Sequence, residues 1–65
     1  MGVTIVANEF SKETEKKLQE EADRLSNEYH YSPFKIMDYF VERKLLAVSL
    51  NSANGQIIMS CRSIF

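Results

Sequence analysis

Residues 28–37 read EYHYSPFKIM and mark the joint between a charged segment and an apolar one. Ser32 and Pro33 predict the start of a helix, because serine can accept a bond from an orphan backbone amide and proline has no amide to satisfy at the first helical position. Tyr31 lies just before this cap and Ile36 four residues into the helix, the spacing of a hydrophobic staple. The sequence therefore predicts that one helix ends and another begins here.

The size of the chain bounds its stability. Its 65 residues predict one domain over residues 1–65, and chains this short bury only about 60% of their unfolded surface. A single cysteine excludes an internal disulfide, and Cys61 with His30 supplies too few ligands for a zinc site within one chain. Small domains without such links are often stabilised by a partner subunit. We therefore expect a homodimer.

Three segments precede residue 45. Residues 3–7 are short and β-branched, which predicts a strand. Ser11 is a plausible cap for a helix that ends near Glu28, since good helix formers fill it without glycine or proline. Its apolar positions form a narrow seam: Leu18, Ala22, Leu25 and Tyr29. In the second helix Met37, Phe40, Val41 and Leu45 are expected to line one side.

The segment after residue 44 has two interpretations. Residues 45–51 alternate as a strand, and Asn54-Gly55 between two apolar runs is a strong hairpin signal. The same glycine could instead end a long second helix. Residues 56–63 alternate, with Ile57, Met59, Cys61 and the later Phe65 on one face, and such a strand needs a neighbour. We expect the hairpin.

The predicted fold is thus an α+β single domain of β-α-α-β-β order, with a helical hairpin packed on a short antiparallel sheet. The alternative is β-α-α-β with a long second helix. Neither contains a membrane-spanning run of about 20 apolar residues, and the first residues lack the basic region of a signal peptide. With one cysteine, we expect a cytoplasmic protein that does not bind a membrane.

Residues able to carry chemistry are few. His30 is the only histidine and is expected at an exposed loop edge, while Cys61 is expected as a small buried hydrophobe. The chain has only two glycines, too few for a phosphate-binding loop. We therefore expect no enzyme activity, no catalytic residues, no metal site and no cofactor.

A strand, a charged helix and a helix opened by Ser32-Pro33-Phe34-Lys35-Ile36 are similar in outline to the ribbon-helix-helix repressors. The resemblance covers residues 3–50 and implies a DNA-binding dimer whose first strands pair between subunits and enter the major groove. The strand face that would read bases offers Thr4, Val6 and Asn8, with no arginine or lysine. A net charge of −1 also gives little attraction to phosphates. DNA binding is therefore the alternative function.

The aromatic residues around the joint favour protein binding. Tyrosine gives a large contact area with a polar tip and is enriched at interfaces. We expect Tyr29, Phe34 and Phe40 to fill the space between the helices. The predicted partner contacts are Tyr31, Tyr39, Ile64 and Phe65. The sequence thus predicts a small non-catalytic homodimer that acts as an adaptor or inhibitor, with itself and another protein as partners.

Overall fold

The structure, a computed structural model, describes residues 3–44 and 46–64. Two helices and three strands follow one another in the predicted β-α-α-β-β order, and the α+β class is confirmed. The elements are β1 (Thr4–Val6), α1 (Lys12–Glu28), α2 (Pro33–Lys44), β2 (Leu46–Ala53) and β3 (Gln56–Ser63). Predictions for Leu45 and Phe65 fall outside the described residues.

Both helices begin at the predicted serines. The Ser11 hydroxyl accepts a hydrogen bond from the Thr14 amide at 3.2 Å, and the Ser32 hydroxyl accepts one from the Lys35 amide at 3.3 Å. Each bond satisfies one of the amides that an α-helix leaves without a partner at its N-terminus. Local sequence therefore decides where the two helices start.

The joint between the helices depends on one residue with a left-handed backbone. His30 has φ of 57°, and the Tyr31 amide returns to the carbonyl of Leu25 at 3.2 Å, which closes the end of α1. Glycine adopts this conformation without cost, whereas other residues lose about 1–2 kcal/mol. His30 is exposed, as expected, and occupies a position where the turn geometry favours glycine.

The hairpin prediction is confirmed, and the long second helix does not form. Asn54 and Gly55 have φ of 52° and 76°, the two positive values that a type I′ turn requires. Ala53 and Gln56 pair directly across this turn. A Cβ built on Gly55 would meet nothing within 4 Å, so glycine is favoured there for its backbone freedom and not for lack of space.

The sheet has the order β1-β3-β2 and is mixed. The antiparallel prediction holds for β2 and β3, but β1 lies parallel to β3, with Thr4 opposite Ile58 and Val6 opposite Ser60. Each connection reverses the direction of the chain, so β1, α2 and β3 run in the same direction. β3 is the central strand and pairs with a neighbour on both sides.

The core lies between the helices and one face of the sheet. Phe40, Ile36 and Met59 are its largest fully buried side chains. The other buried side chains of the described residues are Val3, Ile5, Ala7, Leu18, Ala22, Leu25, Leu46 and Cys61. The seam of α1 is confirmed as far as Leu25.

Three aromatic and aliphatic predictions for the core are wrong. Tyr29 is 55% exposed and Phe34 69% exposed, so only Phe40 fills the space between the helices. Val41 is 42% exposed, and Ile36 is buried in its place. Tyr29 already lies at the C-cap of α1, and Phe34 lies in the first turn of α2, so neither reaches the contact between the helices.

Candidate protein-binding surface

The outer edge of β1 is covered by a glutamine of α1. The Gln19 side chain accepts a hydrogen bond from the Ile5 amide at 2.8 Å and donates one to the carbonyl of Val3 at 2.8 Å. One primary amide thus bonds the two backbone groups that a neighbouring strand would bond. Asp23 holds the same amide nitrogen in place at 3.1 Å.

Two glutamates complete this side of the sheet. Glu15 of α1 accepts a hydrogen bond from the Ala7 amide at 2.9 Å. Glu9, in the loop after β1, accepts one from the Ser63 amide at 3.0 Å, beyond the point where β1 ends beside β3. The β1 side is therefore closed to a further strand.

The opposite edge is formed by β2, and we call the side of β2 that faces away from β3 the open edge. Because Ala53 and Gln56 exchange bonds across a two-residue turn, bonded and non-bonded positions alternate back along β2. The amides and carbonyls of Leu46, Val48, Leu50 and Ser52 consequently point outward. Within residues 3–44 and 46–64, no hydrogen bond is made to this edge.

β2 also lacks the features that usually protect an edge strand. Its sequence, LAVSLNSA, contains no charged residue and no proline, and its eight pairs with β3 run without a bulge. Proteins commonly place lysine, proline or a bulge in long edge strands because the bare backbone can pair with another chain. The open edge is thus chemically suited to strand addition.

An apolar flank of α2 lies on the same side of the molecule. We use this name for Phe34, Met37 and Val41, which repeat at intervals of three and four residues and therefore share one side of the helix. Phe34 and Val41 are two of the large hydrophobic side chains exposed in the described chain. Tyr39 lies on the other side of α2, where its hydroxyl donates to Glu21 of α1 at 2.9 Å.

A groove joins the apolar flank to the open edge. It has a volume of about 290 Å³ and is lined by Pro33, Phe34, Leu50, Asn51, Ser52 and Ile57. Val48 and Leu50 point toward the helices yet remain half-buried, whereas Ile5 of β1 and Val3 just before it are buried. The helical layer therefore covers β2 less completely than it covers β1.

The predicted contact residues Tyr31 and Tyr39 line a second groove, of about 240 Å³, which we call the tyrosine groove. Lys35 lies 4.7 Å from the centre of the Tyr31 ring, and Arg43 lies 5.9 Å from that of Tyr39. Both tyrosines are half-buried, and Asp38 and Glu42 line the same groove. The structure thus brings these two predicted residues together.

The other two predicted contact residues lie at the end of the chain. Ile64 is 54% exposed, follows β3 directly, and is not among the residues that line the tyrosine groove. Phe65 is outside the described residues. The assignment of all four residues to partner binding stays a prediction.

The side chains that could carry out chemistry, Cys61 and His30, lie in different environments. Cys61 is buried as expected and forms no disulfide, and burial raises the pKa of its thiol, so the reactive thiolate is disfavoured. His30 is exposed in the joint. Among residues 3–44 and 46–64, no three histidine, cysteine, aspartate or glutamate side chains are arranged to hold a metal ion.

The ribbon-helix-helix resemblance depends on pairing between the first strands of two subunits, but in this structure β1 is bonded on both sides by its own chain. β1 bonds β3 on one edge and Gln19 and Glu15 on the other. On the sheet face away from the helices, Val6, Ser49, Ser60 and Arg62 border a shallow depression of about 340 Å³. Pairing of first strands between subunits would require α1 to release β1.

Neither the closed β1 edge nor the open edge of β2 was predicted from the sequence. Glu15 and Gln19, which bond the β1 edge, are four residues apart and therefore share one side of α1. That spacing is common on charged helices, so it does not by itself predict a contact with β1. The open edge has a partial signal, since β2 contains no charged residue from Leu46 to Ala53.

Neither helix in the described part of the chain is long and apolar enough to cross a membrane. Comparisons with models of known protein families, with curated proteins and with solved structures found no significant match to this chain.

Proposed function

We propose that this protein functions by binding protein, as a homodimer that acts as an adaptor or inhibitor of a partner, and that it catalyses no reaction. The observation that carries the proposal is the open edge of β2 beside the apolar flank of α2. The two features form one surface, on the side of the molecule opposite α1 and β1.

The open edge offers main-chain hydrogen bonds. In strand addition the backbone bonds supply affinity, and pockets for alternate side chains supply specificity. Leu50 and Ile57 border such a pocket together with Phe34. A chain added to β2 would meet both the unbonded backbone and this groove.

The apolar flank offers hydrophobic contact area. Fully burying a side chain such as phenylalanine or valine stabilises an interface by about 1.5–3 kcal/mol relative to leaving it in water. Phe34 is 69% exposed, so most of that stabilisation is available to a partner. Buried aromatic side chains near the centre of an interface often dominate its binding energy.

A dimer formed in this way leaves the tyrosine groove accessible. Under the proposal, Tyr31 and Tyr39 contact the partner protein, together with Ile64 and Phe65. Lys35, Asp38, Glu42 and Arg43 surround the two rings with both signs of charge, which favours a partner segment of mixed charge over a strongly acidic or basic one. We place the protein in the cytoplasm, where a single reduced cysteine such as Cys61 is ordinary.

Sedimentation equilibrium across a dilution series, with circular dichroism on the same samples, tests the proposal. We expect a dimer that dissociates on dilution, and Phe34→Gln should weaken it at least tenfold while the helical signal is kept. Tyr29→Gln is the matched control, because Tyr29 is also an exposed aromatic residue, at 55%, but lies at the end of α1. A protein that stays a folded monomer at all concentrations would contradict the homodimer.

The same samples can be titrated with labelled duplex DNA at low and high salt. Binding through phosphates weakens steeply as salt rises, and we expect no such association. Salt-sensitive binding of the duplex by a dimer would favour the alternative function over the adaptor or inhibitor.

A further inference from the structure

We infer that the open edge is occupied by a second copy of this chain, with the two β2 strands antiparallel about a two-fold axis at Ser49. This inference rests on the proposed function and specifies its geometry. The two three-stranded sheets would join into one sheet to which each copy contributes all three of its strands.

The first argument is the alternation of outward backbone groups. In an antiparallel pair the bonded residues must face each other, so Leu46, Val48, Leu50 and Ser52 must pair with outward positions of the second strand. An axis at residue 49 pairs Val48 with Leu50 and Leu46 with Ser52 of the other copy. It uses all four outward residues, whereas an axis at residue 48 or 50 leaves one of them without a partner.

The second argument is the chemistry of the side chains in that register. On the helical side, Val48 of one copy lies beside Leu50 of the other, and both are half-buried in the single chain. On the opposite side, Ser49 faces Ser49 and Ala47 faces Asn51. No charge faces a like charge across the new pair, which is the usual obstacle to pairing a strand with itself.

The third argument is the position of the apolar flank. α2 leads into β2 almost directly, so the start of α2 lies beside the end of β2, as the groove between Phe34 and Leu50 shows. A two-fold axis at the middle of β2 brings the end of one strand beside the start of the other. The exposed Phe34 of one copy is thereby directed toward the part of α2 that carries Val41 in the other.

The fourth argument concerns the other edge. Gln19, Glu15 and Glu9 occupy the backbone on the β1 side, so joined sheets cannot extend further through β1. Pairing at β2 therefore closes at two copies and does not continue into a fibre.

Disulfide trapping of the full chain tests this register. In a non-bonded antiparallel pair the two Cα atoms are about 4.5 Å apart, within the range of about 4.4–6.8 Å that a disulfide requires. Ser49→Cys should therefore form a covalent dimer under mild oxidation. Asn51→Cys is the matched control, because the two copies of residue 51 are offset by four positions, or about 13 Å.

A mixture of the Ala47→Cys and Asn51→Cys variants provides a second test of the register, since residue 47 of one copy faces residue 51 of the other in the proposed pair. We expect Ser49→Cys alone, and the mixture, to cross-link at least ten times faster than Asn51→Cys alone, with circular dichroism unchanged. The wild-type chain, in which Cys61 is buried, should not cross-link.

The remaining outcomes separate this inference from the proposed function. If wild type sediments as a dimer but Ser49→Cys cross-links no faster than Asn51→Cys, the register is overturned while the homodimer stands. If wild type is a folded monomer, the second copy is overturned together with the homodimer. Binding of an extended apolar peptide at β2 by that monomer would assign the open edge to another protein.

Discussion

At the β1 edge of the sheet, side chains of α1 and of the loop after β1 form hydrogen bonds with the outward backbone, whereas the backbone of the open edge forms none with the described side chains. The difference follows from length. β1 has three residues and presents few groups, so Gln19 and Glu15 suffice to cover it. β2 has eight residues, and α2 above it presents an apolar flank in place of polar side chains.

The comparison teaches that an edge strand can be closed without charge or proline inside the strand. A helix packed beside a short strand can supply a primary amide that bonds like a neighbouring backbone. Where the chain lacks such cover, as along β2, a long uncharged strand carries a cost unless another chain pairs with it. The following predictions test each side of this comparison.

The largest effect is expected from opening the closed edge. Gln19→Ala leaves the Ile5 amide and the Val3 carbonyl without their partners, and an unsatisfied partly buried group costs about 1–3 kcal/mol. We expect a loss of about 2–3 kcal/mol in the free energy of unfolding, measured by urea melts at one protein concentration, and faster hydrogen exchange at Ile5. Gln56→Ala, at an exposed position, is the matched control. Equal melts for the two variants would mean that water replaces Gln19 without cost.

The next effect is expected at the turn that holds β2 against β3. Gly55→Val places a β-branched residue at φ of 76°, which costs about 1–2 kcal/mol. Hydrogen exchange should accelerate at Ser49 and Asn51 of β2, with Ile5 of β1 unchanged. Gly55→Asn should cost less, since asparagine tolerates this backbone. If both variants destabilise equally, the conformational explanation of Gly55 is wrong.

A charge at the centre of the open edge should weaken the dimer. Ser49→Lys sets two lysines opposite each other in the proposed pair, and a like-charge pair across strands costs up to about 1 kcal/mol. We expect the dissociation constant to rise roughly fivefold in sedimentation equilibrium, since 1.4 kcal/mol is tenfold. Ser49→Glu should act similarly, and an equal mixture of the two variants should recover wild-type affinity. A mixture as weak as its components would place Ser49 away from the axis.

The smallest effect is a stabilisation that touches neither edge. His30→Gly removes a side chain from φ of 57°. We expect the free energy of unfolding to rise by about 0.5 kcal/mol, which is what remains of the relieved backbone strain once the greater freedom of glycine in the unfolded chain is subtracted. His30→Ala keeps the unfavourable backbone and should give no gain. The dimer dissociation constant should be the same in both variants. A change in that constant would show that the joint contacts the partner copy.

Much of the fold was predictable because its signals are local. Ser11 and Ser32 cap their helices through bonds that span three residues, and the backbone of Asn54 and Gly55 sets the hairpin. The caps depend on neighbours in sequence, so their residue types are sufficient evidence, whereas Asn54-Gly55 favoured the hairpin without excluding a long second helix. The buried face of β3 was predictable for the same reason, since strand alternation places Met59 and Cys61 together.

The candidate surface was less predictable. Alternation correctly placed Leu46, Val48 and Leu50 on one face of β2, but it cannot tell which strand lies at an edge. Tyr29 and Phe34 were placed wrongly for a related reason. Phe34 is as hydrophobic as Phe40, Tyr29 has a ring of the same size, and only the approach of α1 to α2 decides which ring is covered. The tyrosine groove was anticipated through Tyr31 and Tyr39, whereas the apolar flank was not.

The sequence by itself determined the helix starts, the I′ turn, the hydrophobic faces and the α+β class, because each depends on contacts between residues close along the chain. Only the tertiary structure decided that β1 pairs with β3 in parallel, that Gln19 reaches Val3 and Ile5, and that β2 is left as the open edge. Those outcomes depend on how five alternating elements pack against one another, and pairings between distant residues leave no periodic mark on a single sequence.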